Sequence, residues 1–361
     1  MWVRLVALAL LASWGVGCDG SESNWNPNTN TGEGALRVWT QSTRTKVQPT
    51  TLPTSSTTVQ LAGPRKSYQA YQIVVTAEEG GLLGVEASAS DLTDGQGNQI
   101  AASHLTLFRQ WPIDFAGATS AVGGTEPVPE HSPSGDTRIP DPLIPLIHPV
   151  AGGPLGQPFQ VADGLSQALW LDVYIPAGTP AGPYTGNLSL IDQAGQTAEV
   201  SITLDVWDLD LPDMTAVTTW FIFRIDPLVE YHSDTEDCYP DACWLDWTER
   251  SRTIVKRYEE LAHRHRIDTG QHFVHAPVDG CNPPTDFSTY DEDIAPYMDG
   301  STFEDGVPST RLSLGFSPGT MEWGWGAGCS EQDYAALAGA WATHLRDRGW
   351  FDRSYIYALD E

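Results

Sequence analysis

The hydrophobic pattern of this 361-residue chain changes at Leu211-Pro212, and this change constrains the fold more than any other feature. Before it, apolar and polar residues alternate, as over 169–175 and 200–206, which is typical of strands with one buried face. After it, continuous apolar runs alternate with segments of helical periodicity, which is typical of parallel βα units. The pattern therefore predicts two domains of different fold class.

The first domain, predicted over residues 35–212, is an antiparallel β-sandwich. Strands are predicted at 69–76, 104–110, 169–175, 184–191 and 200–206. The residues from Pro176 to Pro183 are rich in proline and glycine and form a turn-rich connection. Many short strands joined by turns favour a sandwich over other folds.

The second domain, predicted over residues 213–361, is α/β. Buried strands are predicted at 218–223, 270–275, 311–316 and 355–359, and helices at about 247–266 and from Ser330 to Gly349. The first helix has Ile254, Tyr258 and Leu261 on one stripe and Asp246 as its cap, and the second has Tyr334, Leu337, Ala338, Trp341 and Leu345 on its buried face. Four such units look like an incomplete (β/α)₈ (TIM-type) barrel truncated after strand 4.

Residues 1–18 have the layout of a secretory signal, with Arg4 followed by an apolar run too short to span a bilayer. The run ends in Gly15-Val16-Gly17-Cys18, which resembles the lipobox of bacterial lipoproteins and makes Cys18 the predicted acylated, membrane-anchored residue. An ordinary cleaved signal is the alternative. Residues 19–34 are polar and predict a disordered tether. The protein is thus expected in a bacterial cell envelope, on the periplasmic face or the cell surface, with the N-terminal lipid as its only membrane contact.

The charge narrows the choice of partner. The chain has 47 acidic against 19 basic residues, a formal charge of -28, and such a surface repels nucleic acid. A neutral glycan fits better, and aromatic rings provide faces on which sugars stack. Tyr290, Trp323 and Trp325 lie in the segment 276–329, predicted as a long loop, and are candidate sugar platforms. Packing of that loop is the alternative explanation for these rings.

Four further cysteines, Cys238, Cys243, Cys281 and Cys329, predict two disulfides in an oxidising compartment. Of the three possible pairings, the short 238–243 loop favours 238–243 with 281–329. A zinc site is the alternative, although the spacings match no standard zinc pattern. No metal is therefore predicted.

Several segments occur in the same order as in a known family. They are 140–145 (PDPLIP), 167–176 (QALWLDVYIP), 182–186 (GPYTG), Gly349-Trp350 and 355–361 (YIYALDE). In this order they resemble glycoside hydrolase family 123 and the related domain family of unknown function numbered 4091. Members have an N-terminal β-sandwich followed by a (β/α)₈ barrel with an Asp-Glu pair at the end of strand four.

The resemblance implies hydrolysis of β-linked N-acetylgalactosaminides by a substrate-assisted retaining mechanism. Glu361 would be the general acid/base, and Asp360 would orient the 2-acetamido group of the substrate. No cofactor is implied, because the nucleophile belongs to the substrate. Without the resemblance, an Asp-Glu dipeptide in so acidic a chain is better explained as a solvated pair.

A barrel that stops after strand four leaves its outer strands unpaired. We therefore expect the reading frame to continue past Glu361, and the 1–361 chain alone to be catalytically poor. The alternative function is that of a non-catalytic, surface glycan-binding or scaffold lipoprotein. Neither function fixes the oligomeric state.

Overall fold

The computed structural model describes residues 32–114, 136–214, 249–267, 269, 281–314 and 329–355. The chain divides into two compact units, Met1–Leu211 and Pro212–Glu361. Within the ranges just given, no helix has the length and apolar character needed to cross a membrane.

The first unit is built of strands, in the order β1 (Ala35–Gln41), β2 (Thr58–Arg65), β3 (Ser67–Glu78), β4 (Leu82–Ala89), β5 (Leu92–Thr93), β6 (Gln99–Ile100), β7 (Leu105–Asp114), β8 (Arg138–Pro145), β9 (Phe159–Val161), β10 (Ser166–Ile175), β11 (Gly182–Ile191) and β12 (Thr197–Asp210). One sheet has the order β1-β3-β10-β7-β8 and is antiparallel. The other has the order β2-β12-β11-β4-β9, in which β2 pairs with β12 in parallel and the remaining neighbours are antiparallel.

The two sheets share one hydrophobic core, so the predicted sandwich is confirmed as the architecture of this unit. Ile73 and Leu171 of the first sheet lie in the same buried cluster as Leu188 and Ile202 of the second. On β12 the predicted alternation is confirmed, because Val200, Ile202, Leu204 and Val206 are buried and their neighbours are not. Burial of this one face is what fixes the register of β12.

Strand β10 differs from the one-faced strand that its alternation predicts. Leu171 is buried as expected, but Ala168 and Asp172 on the opposite face are buried too. The outer face of this sheet is covered by the segment between β1 and β2, whose Val47 packs in a small cluster with Ala168 and with residues of β1 and β3. The sequence pattern did not show this second layer, because the covering segment is neither strand nor helix.

Buried hydrogen bonds hold that covering segment in place. The side-chain amide of Gln72 donates to the carbonyls of Ser42 and Thr45, both at 2.8 Å, and the amide of Gln110 donates to Gln72 Oε1 at 2.9 Å. The backbone N–H of Ser166 donates to the carbonyl of Pro49 at 2.8 Å. Polar side chains on a sheet face are stable there because each has a partner.

The described part of the second unit contains α1 (Glu249–Arg264), α2 (Ser288–Asp299), β13 (Leu312–Ser313), α3 (Glu331–Asp347) and β14 (Ser354–Tyr355). Strands β13 and β14 pair in parallel, with α3 between them in the chain. This is one βα crossover of the kind that the sequence predicted. The strands predicted at 218–223 and 270–275 lie outside the described residues.

The buried stripe of α1 corrects the sequence prediction. Val255, Glu259 and Ala262 are buried, whereas Leu261 is half exposed, and Ile254 and Tyr258 are intermediate. The hydroxyl of buried Thr269 donates to the Glu259 carboxylate. Because of this hydrogen bond, Glu259 can lie on the buried face of the helix. A hydrophobic stripe alone does not reveal such a contact.

Helix α2 lies in the part of the 276–329 segment before the predicted strand at 311–316, where the sequence predicted a loop, so that prediction is wrong. The helix buries Tyr290, Ile294 and Met298, which are spaced four residues apart on one face. Its polar composition and an internal proline, Pro296, obscured the periodicity. On α3 the predicted face is confirmed for Leu337, Trp341 and Leu345, while Tyr334 is half-buried and Ala338 is exposed because it lies beside that face.

Candidate functional site

Most of the predicted site residues lie outside the described part of the chain. These are Asp360 and Glu361, the aromatic candidates Trp323 and Trp325, the lipidation residue Cys18, and the cysteines Cys238 and Cys243. The structure does describe strand β14, which ends five residues before Asp360, together with its neighbours in the second unit. The geometry around β14 is therefore what the structure contributes to the candidate site.

Strands β13 and β14 run in the same direction. Leu312 pairs with Ser354 and Ser313 with Tyr355, and the Leu314 N–H donates to the Tyr355 carbonyl at 3.0 Å. The carboxyl ends of the two strands consequently lie at one edge of the sheet. In α/β folds this is the edge at which catalytic residues collect.

The helix between these strands begins with a capping box at Ser330 and Asp333. The Ser330 hydroxyl accepts from the Asp333 N–H at 3.3 Å, and the Asp333 carboxylate accepts from the Ser330 N–H at 2.8 Å. Hydrogen bonds from the Ser330 side chain and backbone hold the pKa of Asp333 below its ordinary value. This pair fixes where α3 starts after the segment that follows β13.

Replacing Asp333 with alanine should lower the unfolding midpoint of the second unit at neutral pH. The Asp333 pKa is lower in the folded chain, so its stabilisation is present above the unfolded value of 3.8 and is lost as pH falls through the folded pKa. Denaturant melts from pH 7 down to acid should show the difference between Asp333→Ala and the parent shrinking. Glu331→Ala removes another first-turn carboxylate, and an equal pH dependence for both variants would contradict the capping explanation.

The end of α3 sets the start of β14. Gly349 adopts a φ of 71°, its N–H donates to the Arg346 carbonyl at 3.0 Å, and the Trp350 N–H donates to the Leu345 carbonyl at 2.8 Å. This is a Schellman motif, and the buried side chains of Trp350 and Leu345 belong to one cluster. The prediction that Gly349 ends the helix is confirmed.

A disulfide joins Cys281 to Cys329, with the two Cα atoms 5.5 Å apart. It links the segment that leads into α2 to the residue just before the Ser330 cap. The predicted 281–329 pairing is confirmed, and a zinc site that uses these two sulfurs is excluded because they are bonded to each other. Within the described ranges, no group of three or more His, Cys, Asp or Glu side chains is arranged to hold a metal.

Tyr290 is not a sugar platform, which corrects the sequence prediction. Its side chain is only 3% exposed and its ring meets Trp341 edge to face, with centroids 5.0 Å apart. Burial raises the pKa of its phenol. The residue packs α2 against α3, and a ring enclosed in this way offers no face to a sugar.

Polar and charged side chains that the sequence analysis did not single out connect the helices. His344 on α3 contacts Asp291 on α2 at 2.8 Å and stacks on Phe287, while Arg252 on α1 contacts Asp293 on α2 at 3.1 Å. These pairs join each helix to the next one along the chain. The spacing within one helix gives no signal for them, because each pair bridges two elements.

Arg353 positions the approach to β14 and was also missed. Its guanidinium donates to the carbonyls of Ser309 and Met298, both at 3.0 Å. Each contact spans more than forty residues of sequence. A basic residue just before a predicted strand is the only local signal, and it does not identify these partners.

Residues 40–192 match the family model described as the glycoside hydrolase 123 N-terminal domain. In fold, the chain is similar to a family 123 glycoside hydrolase from Clostridium perfringens, whose structural analysis concerned glycolipid glycan hydrolysis. The TM-score is 0.57 at 13% identity, with 89% of this chain and 58% of that chain covered. The chain therefore spans less than two thirds of that protein.

Two further similarities are too weak to carry an argument. The periplasmic chaperone SfaE matches with a TM-score of 0.22 and 7% identity over 52% of this chain and 65% of that chain. CfaE, a fimbrial adhesive subunit of enterotoxigenic Escherichia coli, matches with a TM-score of 0.22 and 12% identity over 49% and 50%. No curated protein sequence matches the chain.

Proposed function

We propose that this protein is an exported glycoside hydrolase of the family 123 type that acts on β-linked N-acetylgalactosaminides. The observation that carries the proposal is the match of residues 40–192 to the family's N-terminal domain. The fold similarity to a family 123 enzyme over 89% of the chain extends this relationship into the second unit. Together they support a glycoside hydrolase-like function acting on glycan substrates.

The proposed catalytic pair is Asp360 and Glu361. Both follow β14, whose carboxyl end lies at the same edge as that of β13, and this parallel pair is compatible with an eight-stranded βα barrel. In such a barrel, residues just after a strand face the substrate pocket. Trp323 and Trp325 follow β13 in the sequence and remain the proposed sugar platforms.

The proposed reaction has two steps. First, Asp360 orients the 2-acetamido group, whose carbonyl oxygen attacks the anomeric carbon while Glu361 gives its proton to the leaving glycosidic oxygen. The C–O bond to the aglycone breaks and a cyclic oxazolinium intermediate forms on the sugar. Second, Glu361 takes a proton from water, which opens the ring at the anomeric carbon and returns the β-configured sugar.

We also propose that Cys18 is acylated and anchors the mature protein in a bacterial envelope. The Cys281–Cys329 disulfide supports export, because disulfides persist in oxidising compartments and are rare in the cytosol. Export places the proposed active site where glycans from outside the cell are accessible.

The test uses the complete gene product and two aryl glycosides that differ only at C2. An aryl β-N-acetylgalactosaminide should be hydrolysed with retention of configuration, and the matching β-galactoside should not be, since it lacks the acetamido nucleophile. Hydrolysis of both at similar rates would contradict the substrate-assisted mechanism. Glycan binding without hydrolysis of either would instead support the non-catalytic alternative.

A further inference from the structure

The chain enters and leaves the sandwich at opposite ends. Ala35, the first residue of β1, pairs with Glu78, the last residue of β3. Asp210, the last residue of β12, pairs with Arg65, two residues before β3 begins. Since β3 is 12 residues long, the two points are about 36 Å apart along the strands at about 3.3 Å per residue.

Hydrogen bonds fix the end at which the chain enters. The Gly34 N–H donates to the Gly81 carbonyl at 2.9 Å, and the Gln196 side chain donates to the Gly34 carbonyl at 2.7 Å and accepts from the Leu36 N–H at 3.2 Å. We call this the tether end, defined by Gly34, Ala35, Glu78, Gly81 and Gln196. The N-terminal segment therefore starts from a fixed point on the sandwich.

The other end, which we call the exit end, is defined by Arg65, Ser67, Asp210 and Leu211. The Leu211 N–H donates to the Arg65 carbonyl at 3.2 Å. The Arg65 guanidinium, whose side chain is only 13% exposed, donates to Asp210 at 2.7 Å and to Asp208 at 2.9 Å. These hydrogen bonds with Asp208 and Asp210 raise the pKa of Arg65. These contacts hold the end of β12 in place up to Leu211, the last residue of the unit.

The sequence limits how far the sandwich can lie from a lipid on Cys18. Thirteen residues lie between Cys18 and Gly32, where the described chain begins, so the two Cα atoms are at most about 50 Å apart when this segment is fully extended. A flexible chain of this length has a root-mean-square span of about 20 Å. That span is shorter than the sandwich, so an anchor on Cys18 keeps the tether end closer to the bilayer than the exit end.

We infer that the sandwich is a spacer whose tether end faces the lipid bilayer and whose exit end faces away from it. The chain then leaves the sandwich at Leu211, about one sandwich length from the anchored end. The sequence over 35–212 has 17 acidic against 7 basic residues, and this excess opposes adsorption of the sandwich's sides to an anionic surface. The inference depends on the proposed acylation of Cys18 and not on the proposed activity.

Two alanines that flank the same strand allow a matched test. Ala194 lies exposed in the turn after β11, next to the tether end, and Ala181 lies exposed just before β11, at the exit end. Acylated Ala194→Cys and Ala181→Cys proteins would each carry a fluorescent donor on the new thiol. Both would be bound to phosphatidylcholine vesicles that contain a lipid-linked acceptor. Energy transfer should be severalfold greater from position 194 than from position 181.

The controls separate three claims: the anchoring through Cys18, the orientation of the sandwich and the enzymatic activity. The parent chain, labelled in the same way, measures donor attached to its own cysteines, and Cys18→Ser should abolish vesicle binding. Equal transfer from both positions, or greater transfer from 181, overturns the spacer arrangement. Failure of the acylated protein to bind vesicles overturns the anchoring and the inference with it. Glycoside hydrolysis measured on the same samples reports the enzymatic proposal independently.

Discussion

Replacing Glu361 with glutamine should lower kcat for an aryl β-N-acetylgalactosaminide by about 10²- to 10⁴-fold, the usual loss when a general acid/base is removed. Glutamine nearly preserves the shape of the side chain but has no proton to give to the leaving oxygen. KM should change little, because the amide can still accept and donate hydrogen bonds. Steady-state kinetics on the complete gene product would measure both constants.

The leaving group makes the Glu361 experiment specific for proton donation. An aglycone whose phenol is strongly acidic departs without protonation, so Glu361→Gln should lose much less activity on that substrate than on one with a weakly acidic phenol. Glu199→Gln, at an exposed site on β12, is the matched control and should leave both rates unchanged. An equal loss on both aglycones would contradict the acid role of Glu361.

Local signals in the sequence predicted the parts of the fold that local contacts determine. The limits of α3 are an example, since Ser330 and Asp333 form its cap and Gly349 its left-handed stop within a few residues of chain. The alternation of β12 was equally reliable, because one face of that strand is buried and the other is not. In such segments the secondary structure is determined by residues close together in the sequence, so a local pattern is enough to predict it.

Contacts between distant segments account for what the sequence did not predict. Ala168 on β10 is buried on the outer face of its sheet because Val47, from the segment between β1 and β2, packs against it. Helix α2 is stabilised by contacts with another helix, such as that of Tyr290 with Trp341, and its own composition does not indicate a helix. The parallel pairing of β2 with β12 joins two strands that are far apart in the sequence of the first unit.

The candidate site was predicted by a different route. Asp360 and Glu361 have no distinctive spacing in a chain with 47 acidic residues, so only the resemblance to a family singled them out. The structure adds the parallel geometry of β13 and β14 and the contacts of Arg353, which no local pattern indicates. Prediction of this site from the sequence therefore depends on the order of motifs along the chain. The position of β14, in contrast, is held by non-local hydrogen bonds.

Removing the Cys281–Cys329 disulfide should destabilise the second unit by about 4 kcal/mol while leaving the sandwich unaffected. The bond closes a loop with a sequence separation of 48, and closing such a loop restricts the unfolded chain by about this amount. Among the described residues, those of the sandwich core all belong to the first unit, so we expect its stability not to depend on the bond. Denaturant unfolding should therefore show two transitions in the parent and an earlier second-unit transition in the Cys281→Ser/Cys329→Ser variant.

Two measurements make the disulfide prediction decisive. Reductant should shift the second-unit transition of the parent to lower denaturant and have a smaller effect on the double variant, in which only other cysteines can respond. Val200→Ala in the sandwich core is the reciprocal control and should lower the other transition. A single shared transition, displaced equally by both changes, would contradict independent unfolding of the two units. The bond also restrains the residue before the Ser330 cap, so its loss should lower the activity of the complete protein before the second unit unfolds.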